Sequence, residues 1–213
     1  MSSVQLYDTT LRDGAQGEGV SFSVVDKLNI ARKLDGLGIH FIEGGWPGSN
    51  PKDVEFFTKA QSLTLSYSKL VAFASTRRRK VSAETDANLQ ALASAGVEVV
   101  TIFGKSSESQ VTKVLETTLE ENLSMIADSI GYLRAKGLTV FFDAEHFFDG
   151  FKANPSYSLR VLEVAAEAGA SCLVLCDTNG GSMPGGVTIA VEAARRLTTV
   201  PLGIHAHNDS ELA

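Results

Sequence analysis

Short apolar runs alternate with helical patterns along the whole length of this chain. The seven runs are Val4 to Asp8, Ile39 to Gly44, Leu70 to Ser75, Val97 to Phe103, Leu138 to Glu145, Ser171 to Asp177 and Pro201 to His207. They recur roughly every 30 to 40 residues, which is the size of one strand-plus-helix crossover unit. This alternation predicts a parallel sheet covered by helices, either a doubly wound open sheet or a (β/α)8 barrel.

Helix-start signals lie between the predicted strands. Ser23 stands three residues before Asp26, which is a variant of the capping box. Apolar residues step by four and three between positions 119 and 133, so one stripe of that helix faces a sheet. Three further helices are predicted to begin at Asn50-Pro51, Asn154-Pro155 and Met183-Pro184. Because no linker or low-complexity run separates these units, we expect a single domain.

Polar side chains follow at least five of the predicted strands, which favours the barrel. They are Arg12 and Asp13, Glu43, the stretch Thr76 to Arg79, Glu145 with His146, Asp177 with Thr178, and His205 with His207. An open sheet concentrates its site at one switch point, whereas a barrel gathers residues from many strand ends. Only seven strands can be counted, so the predicted α/β fold is a (β/α)8 TIM barrel without its eighth strand.

Composition limits the classes of function. A chain of 213 residues with 44% hydrophobic residues can bury one sizeable core. The formal net charge of -6 argues against a nucleic-acid surface, and no apolar run approaches the roughly 18 residues of a membrane span. The two cysteines, Cys172 and Cys176, suggest core residues rather than a disulfide framework. We therefore expect a cytoplasmic protein that binds neither nucleic acid nor membrane.

The last predicted strand ends in two histidines that are suited to hold a metal ion. Residues two apart on a strand point to the same face, so His205 and His207 project together. Two imidazoles beside a carboxylate suit zinc, manganese, iron or cobalt. Asp13 supplies that carboxylate only if the first and last strands meet, as they do in a closed barrel.

Five motifs in order carry a resemblance to a known family. The segments Asp8-Thr9-Thr10-Leu11-Arg12-Asp13-Gly14, with Gln16, and His205-Ala206-His207-Asn208-Asp209 resemble the two motifs of the metal-dependent acyltransferase and lyase barrels. That family includes isopropylmalate, homocitrate and citramalate synthases and hydroxymethylglutaryl-CoA lyase. The stretches Phe41 to Asp53, Phe142 to Gly150 and Leu175 to Gly181 are similar to its citramalate-synthase branch in particular.

The resemblance implies an acyltransferase that condenses acetyl-CoA with pyruvate and hydrolyses the thioester to citramalate and CoA, in the biosynthesis of isoleucine, a branched-chain amino acid. It implies a divalent metal ion (Mn, Mg, Zn or Co) held by Asp13, His205 and His207, with open positions for the keto acid. Arg12 is then expected to stabilise the developing oxyanion. The family relationship also implies a homodimer in the full-length protein.

The resemblance assigns the remaining candidate residues. Glu43 is expected to hold the reacting groups close to Arg12, and Glu145 to orient water or share in proton transfer. Thr178 is expected to bind the carboxylate of the keto acid, with Gln16 and His146 as further substrate-binding candidates. The Thr76 to Arg79 stretch either meets the phosphates of CoA or is a solvated loop.

Several alternatives stay open at this stage. A related synthase acting on another 2-keto acid, or an enzyme like hydroxymethylglutaryl-CoA lyase, would use the same scaffold. A barrel hydrolase needs more histidines than the four present, and an iron oxygenase uses a β-sandwich-like barrel. The chain is also expected to be the N-terminal catalytic barrel domain, lacking the C-terminal accessory and regulatory regions of the family. It then has little turnover alone or is an inactive metal-binding fragment.

Overall fold

The computed structural model describes residues 4–208 and shows an α/β chain. Its strands are β1 (Tyr7–Asp8), β2 (Phe41–Gly45), β3 (Lys69–Ser75), β4 (Val99–Lys105), β5 (Thr139–Glu145), β6 (Cys172–Asp177) and β7 (Leu202–Ala206). Its helices are α1 (Val24–Gly36), α2 (Pro51–Ala60), α3 (Ala87–Ala93), α4 (Glu108–Lys113), α5 (Leu119–Ala135), α6 (Phe147–Ala153), α7 (Pro155–Glu167) and α8 (Pro184–Leu197), and a 3-10 turn spans Gly14–Gln16.

The strands lie in one sheet in chain order, from β1 to β7. The pairs β1–β2, β2–β3, β5–β6 and β6–β7 are parallel. A doubly wound sheet reverses its strand order at a switch point, whereas a barrel adds each strand beside the previous one. The order therefore confirms the predicted TIM-barrel type of fold. As expected, residues 4–208 contain seven strands and no eighth.

The predicted strands are confirmed to within a few residues, with the largest difference at the first. β1 comprises only Tyr7 and Asp8, although the apolar run begins at Val4. The backbone carbonyl of Leu6 accepts hydrogen bonds from the amides of both His40 and Phe41, each at 3.1 Å. One carbonyl serving two successive amides breaks the regular ladder, so the strand assignment begins one residue later.

The predicted helix starts are also confirmed. The Ser23 hydroxyl accepts from the amide of Asp26 while the Asp26 carboxylate accepts from the amide of Ser23, which forms the capping box of α1. Asn50 and Asn154 cap α2 and α7 through their side-chain oxygens. None of the helices described between residues 4 and 208 combines the length and the hydropathy of a membrane span.

Internal contacts divide the described residues into two compact units. The first comprises residues 4–74 and 87–101, and the second comprises residues 75–86 and 102–208. The largest fully buried apolar side chains of the first unit are Leu11, Ile42, Phe56, Leu89 and Leu92. Those of the second unit are Ile102, Ile126, Ile130, Leu133, Phe142, Phe147 and Leu162. Each such side chain contributes roughly 1.5–3 kcal/mol on burial.

A buried ion pair lies behind the end of β2 in the first unit. The Lys27 ammonium is 2.5 Å from Asp53 Oδ1 and donates to the carbonyl of Gly44 at 2.9 Å. The other carboxylate oxygen of Asp53 accepts from the amide of Trp46 at 2.8 Å. A side chain at Gly45, where φ is +147°, would collide with this carboxylate. Packing behind the strand therefore requires glycine at this position.

Candidate active site

The turn after β1 holds Arg12 and Asp13 in a defined conformation. The Asp8 carboxylate accepts hydrogen bonds from the amide of Thr10 at 3.0 Å and from its hydroxyl at 3.1 Å. The carbonyl of Thr9 accepts from the amides of Arg12 and Gly14, each at 3.1 Å. Asp8 thus acts as a local turn-forming side chain, which explains why this segment leaves the sheet immediately after β1.

Arg12 is the centre of a hydrogen-bonded group in the first unit. Its Nε donates to Glu43 Oε1 at 2.5 Å and its Nη1 donates to Asp13 Oδ1 at 3.3 Å. The guanidinium carbon lies 3.8 Å from the centroid of the Phe73 ring. Two carboxylates and one aromatic face fix both the plane and the direction of a permanent positive charge.

Glu43 is fully buried and both of its oxygens accept hydrogen bonds. Oε1 accepts from Arg12, and Oε2 accepts from the Tyr7 hydroxyl at 2.6 Å. The Tyr7 hydroxyl also lies 2.8 Å from the Thr101 hydroxyl oxygen. A buried carboxylate requires such partners because its charge has lost the solvation of water. Tyr7 and Thr101 were not predicted as site residues, since neither belongs to a recognisable motif.

Phe73 belongs to an aromatic platform beneath Arg12. The Trp46 ring meets Phe73 edge to face, with centroids 5.7 Å apart and an interplanar angle of 83°. The indole nitrogen of Trp46 donates to Asn88 Oδ1 at 2.5 Å. Phe73 is 5% exposed, and one face of its ring lies against Arg12. The hydrogen-bonded Trp46 packs against the same ring and holds it in place. The continuous apolar run of β3 indicates only that Phe73 is buried, so its contact with Arg12 was not predicted.

His205 lies in β7 and His207 follows the strand by one residue, both in the second unit. Their rings are nearly parallel, with centroids 5.3 Å apart and an interplanar angle of 7°. The amide of His207 donates to the carbonyl of Asp177 at 3.2 Å, which continues the β6–β7 pairing beyond Ala206. The two imidazoles thus project in the same direction, as the spacing predicts. Asp209, at the end of the same motif, lies outside the described residues.

Glu145 forms an ion pair at the ends of neighbouring strands. Its Oε2 lies 2.5 Å from the ammonium of Lys105, the last residue of β4. The carbonyl of Glu145 also accepts from the amide of Ser106 at 2.9 Å. Lys105 was not predicted, because one lysine after an apolar run gives no signal of its partner. The pair sets the direction of the carboxylate.

Thr178 and His146 are joined by a hydrogen bond at the ends of β6 and β5. The backbone amide of His146 donates to Thr178 Oγ1 at 2.9 Å, so the hydroxyl keeps its own proton for another acceptor. His146 has the left-handed conformation, with φ 58° and ψ 32°, which is costly for a residue other than glycine. Its ring nitrogen Nδ1 lies 3.3 Å from Asp149 Oδ2, which also accepts from Asn179.

The remaining candidates differ in their surroundings. Gln16 is exposed at the end of the 3-10 turn. Arg77 is 6% exposed and donates to Asp128 at 2.9 Å and to Glu121 at 2.8 Å, so the expectation of a solvated loop is wrong for this residue. The hydrogen bond from Arg77 lowers the pKa of Glu121. The loop expectation fits Arg78 and Arg79, which are exposed.

A cavity of about 300 Å³ opens beside this arginine run in the second unit. Its lining includes the exposed arginines, the lysine that pairs with Glu145 and apolar side chains, among them Arg78, Arg79, Phe103, Lys105, Val114 and Leu115. Arg78, Arg79 and Lys105 surround apolar side chains, so the cavity is suited to bind a ligand that carries an anionic group on an apolar chain.

Neither cysteine forms a disulfide. Cys172 is half-buried and Cys176 is buried. Burial raises the pKa of the Cys172 thiol to about 11, and the negative charge of Asp143 adds to this shift. Cys172 begins β6 and Cys176 is its penultimate residue, and the two share one face of the strand, as the sequence predicts.

Comparison with known proteins identifies relatives across the entire chain. The family described as HMGL-like matches residues 3–213. The (R)-citramalate synthase of Geobacter sulfurreducens is 56% identical over 213 residues, which is 100% of this chain and 40% of that protein. The homocitrate synthase AksA of Methanopyrus kandleri is 34% identical over 210 residues, covering 99% of this chain and 50% of that protein. The chain thus spans about half or less of the length of these relatives.

A solved structure supports the assignment of the fold. Hydroxymethylglutaryl-CoA lyase from Pseudomonas aeruginosa matches with a TM-score of 0.78 and 22% sequence identity, over 97% of this chain and 69% of that one. At this identity the match concerns the fold alone, and it agrees with the strand order from β1 to β7.

Proposed function

This chain belongs to the HMGL-like family, and from that premise we propose that it condenses acetyl-CoA with pyruvate and hydrolyses the thioester to citramalate and CoA. The observation that carries the proposal is its 56% identity with a named (R)-citramalate synthase, against 34% with a named homocitrate synthase. In this proposal the chain is the catalytic barrel part of a longer, homodimeric acyltransferase of isoleucine biosynthesis. A cytoplasmic location agrees with two cysteines that form no disulfide.

Asp13, His205 and His207 are the proposed ligands of a divalent cation. The donor set fits such an ion, because two parallel imidazoles at the end of β7 and one carboxylate are the ligands that zinc, manganese and cobalt accept. When bound, the cation would polarise the keto carbonyl of pyruvate. The hydrogen bond from Arg12 orients the Asp13 carboxylate before any ion arrives.

Arg12 is proposed to stabilise negative charge on the oxygen of the enolate or of the new alkoxide. Its guanidinium is held by Glu43 and Phe73, so little reorganisation is needed as charge develops. Glu43 accepts from Tyr7 as well, and both of its oxygens are therefore engaged. We assign Glu43 to positioning Arg12 rather than to proton transfer.

Thr178 is proposed to bind the carboxylate of pyruvate through its hydroxyl proton. The amide of His146 occupies one lone pair of the hydroxyl oxygen, which directs the proton away from His146. His146 itself then contributes through its backbone, and Gln16, being exposed, stays a candidate at the substrate entrance.

Glu145 is proposed to orient the water that attacks the thioester. Lys105 holds one of its oxygens, and the partly exposed carboxylate lies at the end of β5. The neighbouring cavity, rimmed by Arg78 and Arg79, is proposed to receive a phosphate of CoA.

Binding and catalysis test this proposal separately. Calorimetry with Mn²⁺ present is expected to show that the chain binds pyruvate more tightly than 2-oxoglutarate or 2-ketoisovalerate, and that Asp13→Asn loses both metal and pyruvate. We call the fusion of this chain to the C-terminal segment of the Geobacter sulfurreducens relative the extended protein. Thiol release by the extended protein should show the same preference for pyruvate. Preference for another keto acid, or cleavage of hydroxymethylglutaryl-CoA, would contradict the proposal.

A further inference from the structure

Three side chains from neighbouring strands of the second unit form a cluster of metal-ligating groups. A carboxylate oxygen of Asp143, the sulfur of Cys176 and a ring nitrogen of His205 all lie within 4.8 Å of one another. The sheet register explains the cluster. Cys176 pairs with His205, while Asp143 pairs with Val174, two residues before Cys176 and on the same face.

The strand backbones hold the cluster in place, and only one of its members opens to solvent. Asp143 is 8% exposed and Cys176 is 7% exposed, whereas His205 is half-exposed. Because all three residues lie within β5, β6 and β7, the ladder hydrogen bonds fix the spacing of their Cα atoms. An ion can therefore enter past His205 and meet ligands whose backbones do not move.

The geometry points to a site for a thiophilic divalent cation at Asp143, Cys176 and His205, and we propose that zinc, cobalt and cadmium bind there in preference to magnesium and manganese. Nitrogen, oxygen and sulfur ligands with a fourth position for water match the tetrahedral preference of zinc. Magnesium and manganese favour oxygen ligands and gain little from a thiolate.

Binding at this site requires only small movements. Bond lengths of about 2.0–2.3 Å place tetrahedral ligand atoms roughly 3.3–3.8 Å apart. The three atoms, now within 4.8 Å of one another, therefore draw together by at most about 1.5 Å through side-chain rotation. The thiol proton of Cys176 is released to the buffer as the sulfur–metal bond forms, and no change of oxidation state takes place.

His205 belongs both to this cluster and to the proposed centre with His207. An ion bound by Cys176 and Asp143 also binds the His205 imidazole, which is then not available to an ion at the proposed centre. The two ions therefore compete for His205. Only this consequence rests on the proposed function: cadmium bound at the cluster should then inhibit the enzyme by displacing the ion of the proposed centre.

Cobalt spectroscopy tests the site without measuring activity. The reduced, metal-free chain is titrated with Co²⁺, and a thiolate-to-cobalt charge-transfer band is expected in the near ultraviolet. Cys176→Ser should abolish the band and weaken cobalt binding at this site by at least the roughly 10- to 100-fold typical of losing an outer-shell partner. Cys172→Ser is the matched control, because Cys172 lies on the same strand and face but outside the cluster, and it should keep the band.

Other outcomes would overturn the site or separate it from the proposed function. Absence of the band from the wild-type chain, or its persistence in Cys176→Ser, excludes Cys176 as a ligand. Manganese binding, measured by electron paramagnetic resonance, should be unchanged in Cys176→Ser. Loss of manganese binding in this variant would mean that Cys176 belongs to the proposed centre with His207, which would contradict a separate thiophilic site. If the wild-type chain does not bind pyruvate with any of these divalent ions while the cobalt band appears, the proposed function fails and the thiophilic site stands.

Discussion

At the scale of single residues, the surroundings of Arg12 and Thr178 determine what each can do. Arg12 has a carboxylate on two sides and an aromatic ring beneath it, so its charge is fixed in place. Thr178 accepts one hydrogen bond from a backbone amide and retains its proton. At Thr178 and at the residues that contact Arg12, a conservative substitution therefore removes one defined interaction.

Replacing Phe73 by leucine should slow catalysis with little effect on substrate binding. The substitution removes the aromatic face beneath Arg12 while it keeps most of the apolar volume. Loss of a cation–π contact of about 0.5–2 kcal/mol corresponds to a fall in kcat of roughly 2- to 30-fold. Steady-state kinetics of the extended protein measure this, with Phe73→Tyr as the control that retains the ring. Equal losses in both variants would show that the ring face is unimportant.

Replacing Thr178 by valine should weaken pyruvate binding. A hydrogen bond to a charged carboxylate contributes about 1.5–3 kcal/mol, so the Kd for pyruvate in the presence of Mn²⁺ should rise at least tenfold. Thr178→Ser keeps the hydroxyl and serves as the control. An unchanged Kd in Thr178→Val, measured by calorimetry, would remove Thr178 from the substrate site.

At the scale of elements, α1 is joined to the segment before β3 by one carboxylate. Asp35 accepts hydrogen bonds from the amides of Ser66, Tyr67 and Ser68 at 3.0, 2.8 and 2.7 Å. These bonds favour the ionised form and lower the pKa of Asp35 below its usual value. The carboxylate therefore stabilises the fold most where it is charged.

Replacing Asp35 by asparagine should destabilise the protein at neutral pH by about 1 kcal/mol. Because the pKa is lower in the folded state, this contribution is fully present above the unfolded value and disappears as pH falls through the folded value. Urea unfolding at pH 7 and at pH 3 should show a larger difference from wild type at pH 7 than at pH 3. Glu55→Gln, which breaks an exposed helix pair with Lys59, should have little effect at either pH. A loss that is the same at both pH values would contradict the electrostatic explanation.

The elements themselves could be predicted from sequence because their signals are local. The capping box of α1 and the apolar runs of the strands depend on residues a few positions apart. Tyr7, Phe73 and Lys105 could not be recognised, because each acts on a partner between 36 and 61 residues away, Glu43, Arg12 and Glu145 respectively. Arg77 was misjudged for the same reason, since its partner Glu121 lies 44 residues further along the chain.

At the scale of the whole molecule, the strand order is that of a TIM-barrel type of fold. Every strand follows the previous one along the sheet, so chemistry-bearing residues collect at successive strand ends. In the part of the chain that the structure describes, β7 pairs only with β6, and Ile204 is 59% exposed on the face opposite His205.

The extended protein should turn over much faster than the 213-residue chain alone. The chain spans 40% of the Geobacter sulfurreducens relative, and in our proposal the remaining segment completes the catalytic centre. Thiol release from acetyl-CoA with pyruvate measures the difference, and both proteins should bind the same amount of metal. Robust citramalate formation by the 213-residue chain would contradict the proposal that the remaining segment completes the catalytic centre.

The crowding behind Gly45 has a consequence for how this segment can evolve. Any larger residue would displace Asp53 and leave the Lys27 ammonium without its counterion inside the protein. In a mutational scan that selects only for cellular abundance, with no demand for turnover, variants at Gly45 should be as depleted as those at Lys27. If Gly45 is invariant among homologues, the reason would then be a requirement of folding, even though Gly45 lies two residues after Glu43.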